Sequence, residues 1–316
     1  MHSFLVTGAA GFIGSNLVDA LLSLGHQVTA LDNLSNGRAD NLADLQNHPE
    51  HRQRFRFIEG DIRDAQCAES ACEGVDYVLH QAALGSVPRS ISEPQLYHDN
   101  NVTGTLNMLM AARNAKVKRF VWASSSSVYG DTPTLPKIET MIPQPKSPYA
   151  LGKLFGEYYS RFFFEEYALP TIALRYFNVF GKRQDPHSEY AAVIPKFITA
   201  LRRGESPIIY SDGHQTRDFT HVDNVVSANL KACEAPQSAC GKAYNIGCGD
   251  RISILELATA LQQQLNPTVP IEFRPTRAGD VRDSQASIAA AKSAFGYTPQ
   301  ISLEEGLKIT IPWYLH

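Results

Sequence analysis

Tyr149 and Lys153 are separated by one helical turn in Tyr149-Ala150-Leu151-Gly152-Lys153, directly after Pro148. On a helix that spacing puts a phenol and an ammonium on one face. An ammonium beside a phenol, with a positively charged nicotinamide ring nearby, favours the phenolate and brings its pKa toward neutrality, which predicts a tyrosine able to act as a base. Upstream, the apolar run Arg119 to Ser125 empties into Ser124-Ser125-Ser126-Ser127-Val128-Tyr129-Gly130. In a parallel sheet the carboxyl end of such a strand is where ligands bind, so a hydroxyl there can reach a substrate.

A dinucleotide site precedes these residues. The opening strand Phe4-Leu5-Val6 runs into Thr7-Gly8-Ala9-Ala10-Gly11-Phe12-Ile13-Gly14. Gly8 permits a tight turn, Gly11 lets the backbone approach a pyrophosphate, and Gly14 lets the following helix press on the sheet. That helix repeats apolar residues at Ile13, Leu17, Leu21 and Leu24 and stops at Gly25, so its amino end, with free N–H groups, faces the phosphates. The next strand, Gln27 to Leu31, ends in Asp32, whose carboxylate can accept both ribose hydroxyls and repels a 2′-phosphate. NAD is therefore expected over NADP.

The chain has 316 residues, enough for one large domain or two coupled ones, and a net charge of -3, which excludes a general nucleic-acid binder. Five cysteines without a CxxC pair suit a reducing compartment. No stretch approaches a membrane span or a secretory leader, and a cytoplasmic protein is expected. Further strands are expected over Phe55 to Ile62, Val75 to Ala82 and Thr171 to Val179, with helices near 94–115 and 149–168. The alternation predicts an α/β fold, a doubly wound parallel sheet of Rossmann type. Beyond Phe180 the rhythm changes to a smaller mixed α/β lobe, with a helix near 191–204 and capping-box spacings at Ser253-x-x-Glu256 and Ser302-x-x-Glu305 that predict helices near 254–266 and 303–310. Lys242 to Gly247 reads as another buried strand. The expected division is a NAD-binding domain of 1–179 completed by about 220–250, and a nucleotide-sugar lobe of 180–219 and 251–316. Asp185, His187 and Glu189, and His221 near Asp223, read as solvated groups, so no metal site is expected.

Taken together, these residues resemble the extended short-chain dehydrogenase/reductase superfamily over nearly the whole chain, and within it the nucleotide-sugar 4-epimerases. The resemblance rests on the glycine motif, Gly60-Asp61-Ile62, His80-Gln81-Ala82-Ala83, Asn100-Asn101-Val102, Ser124-Ser125-x-x-Val128-Tyr129-Gly130, Tyr149-x-x-x-Lys153 and Leu174-Arg175-Tyr176-Phe177-Asn178-Val179. It implies that Asp61 and Ile62 contact adenine, that Ala82 and Ala83 line the pyrophosphate side with Gln81, and that Asn100 contacts the cofactor. It places Phe177 near nicotinamide, and Phe12, Ile13 and Asn33 join the NAD contacts. It implies Ser125, Tyr149 and Lys153 as catalytic residues, with Tyr149 and Lys153 also contacting NAD and Ser125 and Tyr149 also contacting the substrate. Substrate contacts fall on Gly85, Ser86, Ser126, Asn178, Val193, Arg217, Arg277, Asp280 and Ser284, with the arginines on a diphosphate. A homodimer is also implied.

The departures from the family pattern carry information too. Dehydratases of the superfamily have Asp-Glu where Ser126-Ser127 stand here, so dehydration loses its acid and base. Epimerases restricted to plain hexoses often carry a tyrosine at the position of Ser284 and a lysine near Gly85. The small residues here leave room for a 2-N-acetyl group to sweep through the pocket. The expectation is NAD-dependent interconversion of UDP-N-acetylglucosamine and UDP-N-acetylgalactosamine through a transient 4-keto sugar. Alternatives are an epimerase or decarboxylase of a UDP-uronic acid, with Arg89 or Lys182 facing the carboxylate, and a non-catalytic NAD-binding redox sensor.

Overall fold

The computed structural model describes residues 1–186, 192–276 and 281–315. The strands are β1 (Ser3–Thr7), β2 (Gln27–Asp32), β3 (Phe55–Glu59), β4 (Tyr77–His80), β5 (Arg119–Ser125), β6 (Thr171–Tyr176), β7 (Val179–Phe180), β8 (Ile208–Tyr210), β9 (Thr216–Arg217), β10 (Thr220–His221), β11 (Lys242–Ile246), β12 (Ile252–Ser253) and β13 (Glu272–Arg274). The helices are α1 (Phe12–Ser23), α2 (Asp40–Asn47), α3 (Ala65–Cys72), α4 (Val87–Ser92), α5 (Pro94–His98), α6 (Gly104–Asn114), α7 (Pro148–Tyr167), α8 (Val193–Arg202), α9 (Val222–Cys233), α10 (Ile254–Leu265), α11 (Ala289–Phe295) and α12 (Leu303–Leu315).

Seven strands form one parallel sheet in the order β11-β6-β5-β4-β1-β2-β3. Successive side chains alternate between two cores. Phe4, Val6 and Val121 meet Leu17, Leu21 and Val225 of α1 and α9 on one face. Leu5, Phe120 and Trp122 meet Ala68, Met108 and Phe163 of α3, α6 and α7 on the other. The doubly wound expectation holds because strands buried on both faces must be apolar throughout. A third core joins Phe197, Ile198, Leu257, Leu261, Leu307 and Ile311 of α8, α10 and α12. Both capping boxes form. Ser253 and Glu256 exchange hydrogen bonds at the start of α10, and Ser302 and Glu305 do so before α12.

Several boundaries differ from expectation. The strand expected to run to Val179 stops at Tyr176, because Asn178 adopts a φ of 27° and turns the chain away into β7, which pairs with β10. The single helix expected near 94–115 is interrupted by a π turn over Asp99–Thr103, which leaves Asn101 free to clasp Leu84 with both its amide groups. The final helix runs on to Leu315 despite Pro312. Among the described residues no helix is long and apolar enough to cross a membrane.

The helix that carries Tyr149 sits unusually close to the sheet. Ser147 caps it, its hydroxyl accepting from the Ala150 N–H, and Pro148 fills the first position. A side chain at Gly156 would collide with the indole of Trp122 on β5, so only glycine allows this approach.

Candidate active site

A cavity of about 470 Å³ lies over the carboxyl ends of β1, β2, β4, β5 and β6. Gly8, at φ 62°, makes the turn out of β1, and a Cβ there would lie 2.8 Å from Ala82 Cα. A Cβ on Gly14 would collide with the Gly8 carbonyl, which is why the helix can begin so near the strand. Helix α1 starts at Gly11 with no side chain on its free amides and no acidic residue in its first turn, an arrangement that receives an anion. Asp32 closes the far side. It accepts the Ala10 N–H at 2.9 Å and the Leu34 N–H at 2.8 Å, while burial, the larger influence, raises its pKa.

Beneath the turn, a chain of hydroxyls and one imidazole joins three elements. The Thr105 hydroxyl is spent on the Asn101 carbonyl, so His80 Nε2 must donate to Thr105 at 3.1 Å, and Nδ1 must accept from Thr7 at 2.7 Å. Thr7 Oγ1 then accepts the Ala82 N–H at 3.2 Å. Burial pushes the His80 pKa down to about 3, and the ring stays neutral in this role.

Tyr149 and Lys153 enter the same cavity from α7, and Ser125 from the end of β5. The Ser125 hydroxyl hydrogen-bonds the phenol, which favours the phenolate, but burial is the larger influence and raises the Tyr149 pKa. Lys153 Nζ donates to the Ala123 carbonyl at 2.6 Å and lies 5.9 Å from the Tyr149 ring centroid. Burial brings its pKa down to about 7. The expectation that the lysine lowers the tyrosine pKa is thus not met by the protein's own groups. Desolvation penalises both charged forms, and the ammonium is directed at a carbonyl.

Of the residues expected at the cofactor, Gly8, Gly11, Phe12, Ile13, Gly14, Asp32, Asn33, Ile62, Gln81, Ala82, Ala83 and Asn100 line this cavity, and Gly85 and Asn178 stand at its substrate side. Others are placed differently. Asp61 lies outside it, held by a bidentate bond from Arg63 that lowers its pKa to about 2, and it accepts from Asn33, which does line the cavity. Phe177 is fully buried against Val128, Tyr129 and Leu154, because strand alternation turns Tyr176 toward the cavity instead. Ser86 caps α4, its hydroxyl accepting the Arg89 N–H. Ser126 opens a 3₁₀ turn outside the lining, and Ser284 is buried with its N–H on the Thr216 carbonyl. Arg277 and Asp280, with His187 and Glu189, lie outside the described residues.

A second cavity of about 460 Å³ shares Asn178, Val179 and Ala192 with the first. Val193, Phe197, Tyr210, Phe219 and Ile254 wall it, and Arg217 and Lys196 bring charge to it. Neither cation proposed for a uronate lines either cavity. Arg89 is paired with Glu93 at 2.9 Å, and Lys182 with Asp19 at 3.1 Å. Sequence reasoning missed Asn101, which fixes the Leu84 loop, and Asp218. The buried Asp218 carboxylate accepts N–H groups from Cys248, Gly249 and Ala286, while burial raises its pKa to about 6. The signal for Asn101 was its place in Asn100-Asn101-Val102, and Asp218 left none that spacing could register.

A family model described as the NAD dependent epimerase/dehydratase family matches residues 4–247. The chain belongs to that family. NAD is its cofactor, and the free amides of α1, the closely packed glycine turn and the Asp32 carboxylate are the donor set this group requires. This family member is similar to a UDP-glucose 4-epimerase of Mycolicibacterium smegmatis, 41% identical over 312 residues that span 98% of this chain and 97% of that one. Among solved structures it resembles a UDP-N-acetylglucosamine 4-epimerase from Methanobrevibacter ruminantium M1 in complex with UDP-N-acetylmuramic acid (40% identity, TM-score 0.93, covering 99% and 98% of the two chains). It also resembles a UDP-glucose 4-epimerase from Thermotoga maritima with UDP-glucose (38% identity, TM-score 0.92, covering 99% and 98%).

Proposed function

We propose that this epimerase interconverts UDP-N-acetylglucosamine and UDP-N-acetylgalactosamine. The observation that carries the N-acetyl preference is the space at Gly85. A Cβ built there meets nothing within 4 Å, on the rim where Tyr149 and Ser125 face the cavity. A bulky 2-substituent needs such room to turn. The M. ruminantium relative, whose name carries the same activity, supports the reading.

In this reading Tyr149, as phenolate, takes the proton from the sugar C4 hydroxyl, and Ser125 donates a hydrogen bond to the reacting oxygen. Lys153, fixed on the Ala123 carbonyl, holds the cofactor ribose side of the site. NAD+, held by the free amides of α1, Asp32 and Lys153, would supply the hydride acceptor and donor for C4, and its positive charge would favour the phenolate. Asn178, shared by the two cavities, and Arg217 of the second hold the diphosphate, and the family pattern assigns Arg277 to the same diphosphate and Asp280 to the uridine ribose. The sugar itself touches few anchors and is free to turn over between the two transfers.

We assign residues 1–179, completed by about 220–250, to the NAD-binding domain and residues 180–219 and 251–316 to the nucleotide-sugar lobe, a reading supported by the seven-stranded sheet and by the separate core of α8, α10 and α12. A homodimer is proposed through α7. Leu151, Phe155, Tyr158 and Phe162 fall on one stripe of that helix and are 44–58% exposed, and a second copy would cover them. Turnover of UDP-N-acetylglucosamine, UDP-glucose and UDP-N-acetylglucosaminuronic acid by one purified sample tests the substrate. The N-acetylated neutral sugar should have the highest kcat/KM, and a wide preference for UDP-glucose would overturn the assignment.

A further inference from the structure

Three residues of α7, spaced four apart, each meet one of the last three residues of β5. Tyr149 bonds Ser125, Lys153 donates to the Ala123 carbonyl, and Glu157 accepts from the Ser124 hydroxyl at 2.5 Å. The third contact belongs to a buried polar row that the mechanism does not use. Ser124, Arg175 and Asn245 are register partners on β5, β6 and β11. Arg175 clamps Glu157 with Nε at 2.9 Å and Nη2 at 2.7 Å, and its Nη1 donates to the Tyr129 hydroxyl. Tyr129 donates in turn to Asn245, whose amide reaches the Lys137 and Ser287 carbonyls. Glu157 and Arg175 are 9% and 4% exposed, and in an apolar interior such a pair persists only when its hydrogen bonds are complete, as they are here.

The geometry points to Glu157, clamped by Arg175, as the positioning residue that fixes the end of β5 on α7 and so holds Ser125 against Tyr149. This rests on the assignment of Tyr149 and Ser125, though not on the identity of the sugar. Strand alternation explains the coupling. Ser124 and Ser125 point to opposite sides of β5, so pinning Ser124 on the helix side sets how far Ser125 projects into the cavity. Losing the pin would displace Ser125, and displacement of a reacting group by about 1 Å can cost about 100-fold in rate.

The experiment compares Glu157→Gln and Ser124→Ala with wild type in the purified full-length enzyme. Glu165→Gln, which removes the same charge from the exposed Arg161 pair on the same helix, is the control. Glu157→Gln should lower kcat about 30-fold with the KM for the UDP-sugar changed less than about threefold, and Ser124→Ala about fivefold. A readout independent of turnover is the ultraviolet difference titration of tyrosine against a Tyr149→Phe blank. The groups facing Tyr149 are Lys153 and Tyr97 besides Ser125, and those facing Glu157 are Arg175 and Tyr129. With the Ser125 bond loosened, Tyr149 should titrate at higher pH in both variants and unchanged in Glu165→Gln. Because Ser124→Ala removes only a hydroxyl, it remains informative if Glu157→Gln does not fold. Variants that melt earlier yet keep wild-type kcat and an unmoved tyrosine titration would reduce Glu157 to a structural role. Full epimerisation by Tyr149→Phe would instead overturn the catalytic assignment itself.

Discussion

The cavity over β1, β2 and β4 is walled by main chain and small residues, Gly8, Gly11, Ala82 and Ala83 among them, whereas the one beyond Asn178 is walled by Phe197, Tyr210, Phe219 and Ile254. The first is tied together from below by the Thr7–His80–Thr105 chain and closed by Asp32. In the second, the Gln215 side chain donates to the Tyr210 carbonyl and the Gln215 carbonyl accepts the Ile254 N–H, and charge comes from long side chains such as Arg217. A pyrophosphate and a ribose are recognised by fixed amides and one carboxylate, which suits a cofactor that must stay put. The two cavities are alike in size, about 470 and 460 Å³, so the contrast lies in what walls them. In the proposed reaction, a firm hold on the dinucleotide and a loose one on the sugar are two halves of one requirement.

Four changes would break or sharpen that contrast. Replacing Tyr149 with Phe should lower kcat by about 10³-fold, measured as epimer formation, while NAD released on denaturation stays stoichiometric, since the glycine turn and Asp32, not the phenol, supply the amides and carboxylate of the cradle. Gly14→Val should destabilise the fold by about 3 kcal/mol in denaturant melts and release NAD, because its side chain would displace the Gly8 turn. A variant that kept NAD would show that the tight side is less tight than its geometry implies.

Lys153 is the third test. Its folded pKa, brought down to about 7, lies below the 10.5 of the free group, so burying it as a cation costs stability in full below pH 7. That cost fades as pH rises from 7 toward 10.5. Lys153→Met should therefore raise stability at pH 7 by about 2 kcal/mol, after the lost bond to Ala123 is subtracted, and the gain should vanish near pH 10.5 while activity is lost. Equal melting curves at pH 7 and 10 for the two proteins would contradict this. The smallest effect is expected at Gly85, which lines the first cavity together with Tyr149 and Ser125. Gly85→Lys should cut kcat/KM for UDP-N-acetylglucosamine about tenfold and leave UDP-glucose nearly unchanged, in a direct competition assay.

The contrast also explains what could be read in advance. Recognition by main chain demands glycines at fixed intervals, so Gly8, Gly11, Gly14 and Asp32 were legible as a linear motif, and each lines the cavity. Tyr149 and Lys153 were legible because one helical turn is a local distance. Phe177 was misplaced by one residue, since the family pattern does not say which face a strand's last residue takes, and Tyr176 lines the cavity instead. Asp61 was named for adenine, whereas its carboxylate serves Arg63 and Asn33. The walls of the second cavity were largely illegible. Residues such as Phe197, Tyr210 and Ile254 come from separate elements and look individually like ordinary core.

Local periodicity and close-range spacing, which depend only on bond geometry along one stretch of chain, determined the alternation of strands and helices, the glycine turn, the capping boxes and the tyrosine–lysine pair. Only the folded chain decided that Ser124, Arg175 and Asn245 share a row across β5, β6 and β11, that Asn101 clasps Leu84, and that burial outweighs the Ser125 hydrogen bond in setting the Tyr149 pKa. Register between distant strands and the degree of desolvation are properties of the assembled interior, and no short window of residues contains them.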